Sequence, residues 1–280
     1  MNIILTINSN KHEIACAPSE TLLSAVRRLG YYGVKFGDEG GLSGADTVLL
    51  DGKPVNAGSM LAAQAEGHLV VTIEALGEHP EQGWKKTDGL NPLQQAFVES
   101  GAIQCGFCTP AQILAAKALL EQNPNPSEEQ VREAISGVLC RCTGYLKPVQ
   151  AVLKAAAVMR GDEPFRVDPI NWDFGAPRTE SPSGFDSPQL AGVMTRPKVV
   201  VTPESQTWQT VGKPEKKVDA VKLVQGKPAF TADMDARGML YAKVLHSPHA
   251  HALIKKINTT RAKELKGVAA VLTFQDIPRV

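Results

Sequence analysis

The chain begins with strict alternation. Ile3, Leu5 and Ile7 fall on one side of an extended segment, Asn8-Ser9-Asn10 turns it, and His12, Ile14 and Cys16 bring it back, which predicts a β-hairpin. Ser19 to Thr21 can cap a helix carrying Leu22, Val26 and Leu29 at i, i+4 and i+7, and Gly30 stops it. A Gly-rich loop from Gly37 to Gly44 leads to a strand at Thr47 to Leu50, a turn at Asp51-Gly52, a short helix through Met60 to Ala65 and a last strand from Leu69 to Ile73. Residues 1–77 therefore predict a small α+β domain.

From about Asp88 the period becomes helical. Leu93, Ala96 and Phe97 form one stripe, Val131, Ala134, Ile135, Val138 and Leu139 a second, and Val149, Val152, Leu153 and Ala156 a third. Thr109-Pro110 reads as an N-cap followed by proline in the first turn, and Ser127-Glu-Glu-Gln130 has capping-box form. Asn123-Pro-Asn-Pro126 must separate two helices, because both prolines lack a donor and restrict the residue before them. A four-helix bundle over residues 85–160 follows. Residues 161–213 are rich in Pro, Gly, Ser and Asp and read as a linker. Pattern returns in residues 214–280, with strands expected at Gly238 to Leu245 and Gly267 to Thr273 and a short helix at Thr259 to Leu265; this stretch reads as the start of a larger α+β domain.

Lys and Arg number 30 against 29 Asp and Glu in 280 residues, so bulk charge draws the chain neither to nucleic acid nor to anionic lipid. No apolar run is long enough for a membrane span and no signal core opens the chain, so a cytoplasmic location is expected. In a reducing compartment, closely spaced cysteines point to metal or redox chemistry before disulfides. Four of the five cysteines form two pairs, Cys105-Gly-Phe-Cys108 and Cys140-Arg-Cys142, each at a helix end. Such spacing can gather four thiolates in one small volume for an iron–sulfur cluster, and zinc could use the same sulfurs. Cys16 reads as a small apolar core residue.

Ile103-Gln-Cys-Gly-Phe-Cys-Thr-Pro110 and Leu139-Cys-Arg-Cys-Thr-Gly-Tyr145 resemble the second 2Fe-2S motif of the molybdenum hydroxylases, the xanthine dehydrogenase and aldehyde oxidase family. The resemblance extends through Asn123 to Pro126 and Ala134 to Leu139. It implies that Cys105, Cys108, Cys140 and Cys142 ligate one 2Fe-2S cluster. It also implies that Gln104 and Cys142 touch a molybdopterin held by a partner catalytic subunit, with a flavin subunit or another acceptor receiving the electrons. The first 77 residues resemble the family's β-grasp, plant-ferredoxin-like module. Val34-Lys-Phe-Gly37 and Thr47 to Gly52 keep its frame, but Asp38, Ser43, Asp46 and Gly58 stand where that module carries cysteines. Glycine offers no ligand and oxygen is too hard a donor for this cluster, so the first cluster is expected to be absent. Asp38, Glu39 and Asp46 then read as a solvated acidic loop, or as ligands of a hard cation.

The C-terminal stretches Val211 to Pro214, Val224 to Gly226, Thr231-Ala-Asp233, Gly238-Met-Leu240, His246-Ser-Pro-His-Ala-His251 and Gly267 to Thr273 resemble the opening of the family's molybdopterin-binding subunit. That resemblance makes His246, His249 and His251 structural rather than metal ligands. The molybdenum pocket and the family's catalytic glutamate are expected outside these residues, so the chain reads as an oxidoreductase component and not a complete active site. A structural zinc module and a vestigial subunit are the alternatives.

Overall fold

The computed structural model describes residues 1–38, 40–76, 90–162, 215–234 and 236–278. The expected linker therefore lies outside the described residues apart from Gly161 and Asp162, as do Glu39 and the stretch Val211 to Pro214. The chain divides into two units, Met1–Asp233 and Met234–Val280.

The first unit opens with the hairpin of β1 (Asn2–Ile7) and β2 (Asn10–Ala15), in which Ile3 faces Ile14 and Ile7 faces Asn10. Helix α1 (Leu22–Arg28) starts where Thr21 accepts the Ser24 amide at 3.2 Å. Strands β3 (Thr47–Leu50), β4 (Lys53–Asn56) and β5 (Leu69–Val71) complete one sheet in the order β2-β1-β5-β3-β4. Only β1 and β5 run parallel. Successive side chains leave a strand on opposite faces, and β3 shows the result: Val48 joins the core under α1 with Ile3, Leu5, Leu22 and Val26, whereas Leu49 joins the helical core beyond. Cys16 is buried in the α1 core as an apolar residue.

Strand β4 was not expected from the pattern. Lys53-Pro-Val-Asn lacks an apolar alternation, and its proline is tolerated because β4 is an edge. The expected helix from Met60 shortens to a 3-10 turn at Ala62–Ala65, and the last strand ends at Val71, with another 3-10 turn at Ile73–Ala75.

Four helices follow: α2 (Pro92–Glu99), α3 (Thr109–Gln122), α4 (Glu128–Ile135) and α5 (Leu146–Arg160). Asn91 caps α2 through the Leu93 amide at 3.0 Å. Ser127 and Gln130 form the anticipated reciprocal cap of α4, at 3.2 and 2.8 Å. Helix α3, poor in charge and rich in alanine, is buried on nearly every side between the sheet and the other helices. The second apolar stripe ends early. Val138 is buried, but α4 stops at Ile135 and Leu139 is exposed, because the chain turns there to present Cys140.

A fifth, short helix, α6 (Ala220–Val224), inserts Ala220, Leu223 and Val224 into the same helical core. Residues 220–233, expected to open the C-terminal segment, thus pack on the first unit. Among its described residues the second unit contains one short helix, α7 (Thr260–Lys263), and the strands expected at 238–245 and 267–273 do not form. A strand needs neighbours for its backbone groups, and none pairs with these segments among the described residues. Tyr241, Leu245, Leu253 and Leu272 stay exposed. Among the described residues no helix is long and apolar enough to cross a membrane.

Candidate metal centre

Both cysteine pairs lie where the backbone changes direction at a helix boundary. Cys105 and Cys108 end the α2–α3 connection, with Gly106 at φ +82° making the turn between them. Cys108 itself occupies the cap position of α3, and Thr109, expected as the cap, is the first helical residue. Cys140 and Cys142 lie between α4 and α5, followed by Gly144 and Tyr145 in left-handed conformation at φ +62° and +66°. The four thiols are free, and all four line one cavity of about 210 Å³, closed on the sheet side by Gly37, Ser43 and Ala45 and elsewhere by Phe107, Leu139 and Arg141.

The sheet and the helices meet tightly here. The Leu139 amide donates to the Ser43 carbonyl at 2.8 Å. A Cβ on Gly44 would lie 2.0 Å from the Gly137 carbonyl oxygen, so this backbone approach requires glycine.

The thiols pair crosswise, Cys105 with Cys142 and Cys108 with Cys140, each within hydrogen-bonding reach. Burial raises the Cys105 pKa, with Cys142 adding to it; burial also raises that of Cys108, where the charge on Cys140 adds. Cys140 goes the other way: burial opposes its ionisation but is outweighed by the Thr143 hydroxyl and by backbone amides that donate to the sulfur. Four thiolates cannot share this space without positive charge, so the donor set fits a bound metal group. Zinc would need all four sulfurs about 2.3 Å from one point. Among the described residues no group of three His, Cys, Asp or Glu side chains is placed around a single ion, and the four thiols instead lie as two pairs around a shared cavity.

Two residues of this site carried no role in the sequence reading. The Thr143 hydroxyl lies 3.1 Å from Cys140 Sγ and accepts the Tyr145 amide at 3.2 Å, while the Tyr145 phenol oxygen accepts the Cys140 amide at 2.7 Å. Both belong to the quoted Cys-Thr-Gly-Tyr run, and their signal was the proximity of hydroxyl donors to a ligand. Gln104 is exposed beside the exposed Cys105, and Cys142 is exposed as well.

The Gly37 to Gly44 loop is built differently. The Asp38 carboxylate accepts the amides of Gly40 and Leu42 at 2.9 Å and of Ser43 at 2.7 Å. Its pKa falls to about 2, through the Ser43 side chain first and then these amides. Asp46 is buried and accepts the Gly58 amide; burial raises its pKa. A Cβ on Gly58 would lie 2.9 Å from Asp46 Oδ2, leaving no room for a cysteine unless the carboxylate moves. In the second unit the three histidines are exposed, and Ser247 bonds both backbone groups of His249 in a local turn.

Residues 72–153 match the family model described as a 2Fe-2S binding domain. Residues 225–280 match that of the aldehyde oxidase and xanthine dehydrogenase a/b hammerhead domain. The chain is 44% identical over 154 residues to the nicotinate dehydrogenase small FeS subunit of Eubacterium barkeri, an alignment covering 54% of this chain and 92% of that one. It is 34% identical to the aldehyde oxidoreductase of Megalodesulfovibrio gigas over 98% of its own length and 27% of the relative's. Among solved structures, the aldehyde oxidoreductase from Desulfovibrio desulfuricans superposes with a TM-score of 0.72 at 33% identity, again over 99% of this chain and 27% of the other. The chain thus spans about a quarter of the length of these large relatives.

Proposed function

The chain belongs to the molybdenum hydroxylase family of xanthine dehydrogenases and aldehyde oxidases, and from that premise we propose that it is the electron-transfer iron–sulfur component of a molybdenum-dependent hydroxylase. The substrate class would be a purine, an aldehyde or an N-heterocycle. The observation that carries this reading is the gathering of Cys105, Cys108, Cys140 and Cys142, all free, around one cavity at the junction of sheet and helices. When bound, a 2Fe-2S cluster supplies one-electron transfer.

The chain's residues hold and shield that group. The four cysteines ligate it, and Thr143 and the neighbouring amides direct hydrogen bonds to sulfur, which stabilises the thiolate form and raises a cluster's potential. Phe107 and Leu139 line one side of the cavity with apolar surface. Exposed Gln104 and Cys142 are the residues available to a molybdopterin held by a catalytic partner. The match of residues 225–280 to a hammerhead domain, together with the exposed apolar side chains of the second unit, supports such a partner. Electrons would leave to a flavin subunit or another acceptor. One cluster per chain is the reading supported by the Asp38 and Asp46 carboxylates, which take up the amides and the space of the Gly37 to Gly44 loop. The sheet order supports a β-grasp reading of residues 1–77.

Metal and sulfide analysis of the anaerobically purified chain tests the proposal. About two iron and two sulfide, with visible absorption that dithionite bleaches, are expected. One zinc without iron would overturn the redox role, and about four iron would overturn the count of one cluster.

A further inference from the structure

We propose that residues 220–233 form an intramolecular clamp on the Cys105–Cys108 loop, anchored by Asp233, with Leu223 and Phe230 as positioning residues for two of the four cluster ligands. The inference rests on the cluster reading above and adds a determinant that lies more than a hundred positions along the chain from the loop.

Each of the two residues between the ligands is covered by one side chain of this segment. Gly106 has no side chain, and a Cβ placed there would lie 2.6 Å from Leu223 Cδ1, so Leu223 sits directly on the loop backbone. Phe107 meets the Phe230 ring edge-on, with centroids 5.1 Å apart. The same Phe230 ring lies 5.0 Å from the Lys35 ammonium, which ties the clamp to the Val34 to Gly37 segment beside the cavity.

The anchor is a buried ionic lock. Asp233 accepts Lys35 Nζ at 2.6 Å and the Arg27 guanidinium at 3.2 Å, with the side chains of Lys35 and Asp233 only 2% and 1% exposed. Its Oδ2 also accepts the amides of Ala229 and Phe230 at 3.2 Å, so the carboxylate fixes the turn that aims Phe230. Arg27 reaches on to the carbonyls of Val34 and Ala232, at 2.7 Å each. At the other end, Gln94 donates to the Val224 carbonyl at 2.7 Å. Breaking one partner of such a pair strands the remaining charges in a dry site, so Asp233 cannot be neutralised without loosening the turn.

A loop fixed from outside holds its ligands at one spacing, and a loop released from the clamp lets Cys105 and Cys108 drift between states, only one of which grips a cluster. The test uses the full chain, loaded anaerobically with iron and sulfide. Loss of visible absorption to an iron chelator gives the release rate, and visible circular dichroism reports the ligand geometry. Leu223→Ala, Asp233→Asn and the milder Phe230→Leu, which removes a half-buried ring, are compared with Phe230→Tyr and with Val26→Ala in the core under α1. The clamp predicts release about tenfold faster and an altered dichroism in the first three variants, the scale seen when groups behind a metal ligand are removed. Phe230→Tyr and Val26→Ala should release iron at the parent rate, Val26→Ala despite a lowered Tm. Release that merely tracks Tm across all variants overturns the clamp, as does parent-like release in Leu223→Ala, Asp233→Asn and Phe230→Leu while the parent holds its cluster. A parent that takes up no cluster overturns the cluster reading and the clamp together.

Discussion

Adding one methyl group at Gly106 is the most direct probe of the packing above the cysteine loop. Two penalties meet there. A side chain at φ +82° incurs about 1–2 kcal/mol for left-handed backbone. The new Cβ, 2.6 Å from Leu223 Cδ1, adds overpacking of about 1–3 kcal/mol. Leu223→Ala alone, at a site only 3% exposed, should lose about 2–5 kcal/mol by opening a cavity. The double variant is informative because the methyl enters the space that the leucine vacates. Only the backbone penalty then remains for Gly106→Ala, so the two changes should couple by about 1–3 kcal/mol. Gly144→Ala is the control, since it has φ +62° but nothing within 4 Å of its Cβ; it should cost about 1–2 kcal/mol whether or not Leu223 is present. Urea unfolding of the metal-free chain measures all of these free energies. Additivity of Gly106→Ala and Leu223→Ala within about 0.5 kcal/mol would mean that Leu223 does not stand over Gly106.

Two further predictions concern carboxylates. The Asp38 pKa is depressed from 3.8 to about 2, so its contribution is present above pH 3.8 and is lost as pH falls toward 2; Asp38→Asn should flatten that acid limb in a pH series of unfolding midpoints, and an unchanged limb would refute the hydrogen-bonded loop. Glu74 is displaced upward from 4.5 by burial, and its Oε2 has no hydrogen-bond partner among the described residues while Oε1 accepts the Gly33 amide at 2.7 Å. Its favourable protonated state is complete below pH 4.5 and is lost as pH rises through the higher folded value, so Glu74→Gln should raise Tm at neutral pH and leave it little changed in acid; a lower neutral Tm would count against this assignment.

What the sequence made legible follows local chemistry. The hairpin, the capped starts of α1 and α4, the break at Asn123 to Pro126 and the cysteine loops each depend on residues a few positions apart, and each stands where the pattern put it. Strand β4 was missed because an edge strand needs no apolar face and tolerates Pro54. The two C-terminal strands were over-read because alternation at 238–245 and 267–273 describes a surface that requires a partner, and none pairs there among the described residues. Asp233 was visible only as part of a matched run. Its role depends on Lys35 and Arg27, about two hundred positions earlier, and no local period can report such a pairing.

The same contrast between local and distant chemistry bears on the proposal of one cluster per chain. In the cysteine loops, hydrogen-bond donors point at sulfur: the Thr143 hydroxyl and backbone amides face Cys140, and the charge they favour still needs a cation beside it. In the Gly37 to Gly44 loop the amides of Gly40, Leu42 and Ser43 already hold an anion, the carboxylate of Asp38, four residues or fewer away for the first two. Asp46 fills the space next to Gly58 in the same way, from a residue twelve positions earlier. An iron–sulfur cluster entering that loop would have to displace one carboxylate from three amides and another from its burial site, while gaining oxygen ligands that bind it poorly. The Gly37 to Gly44 loop carries its own anion in Asp38, and Gly37 and Ser43 of that loop, with Ala45 just beyond it, line the cavity that the four thiols share.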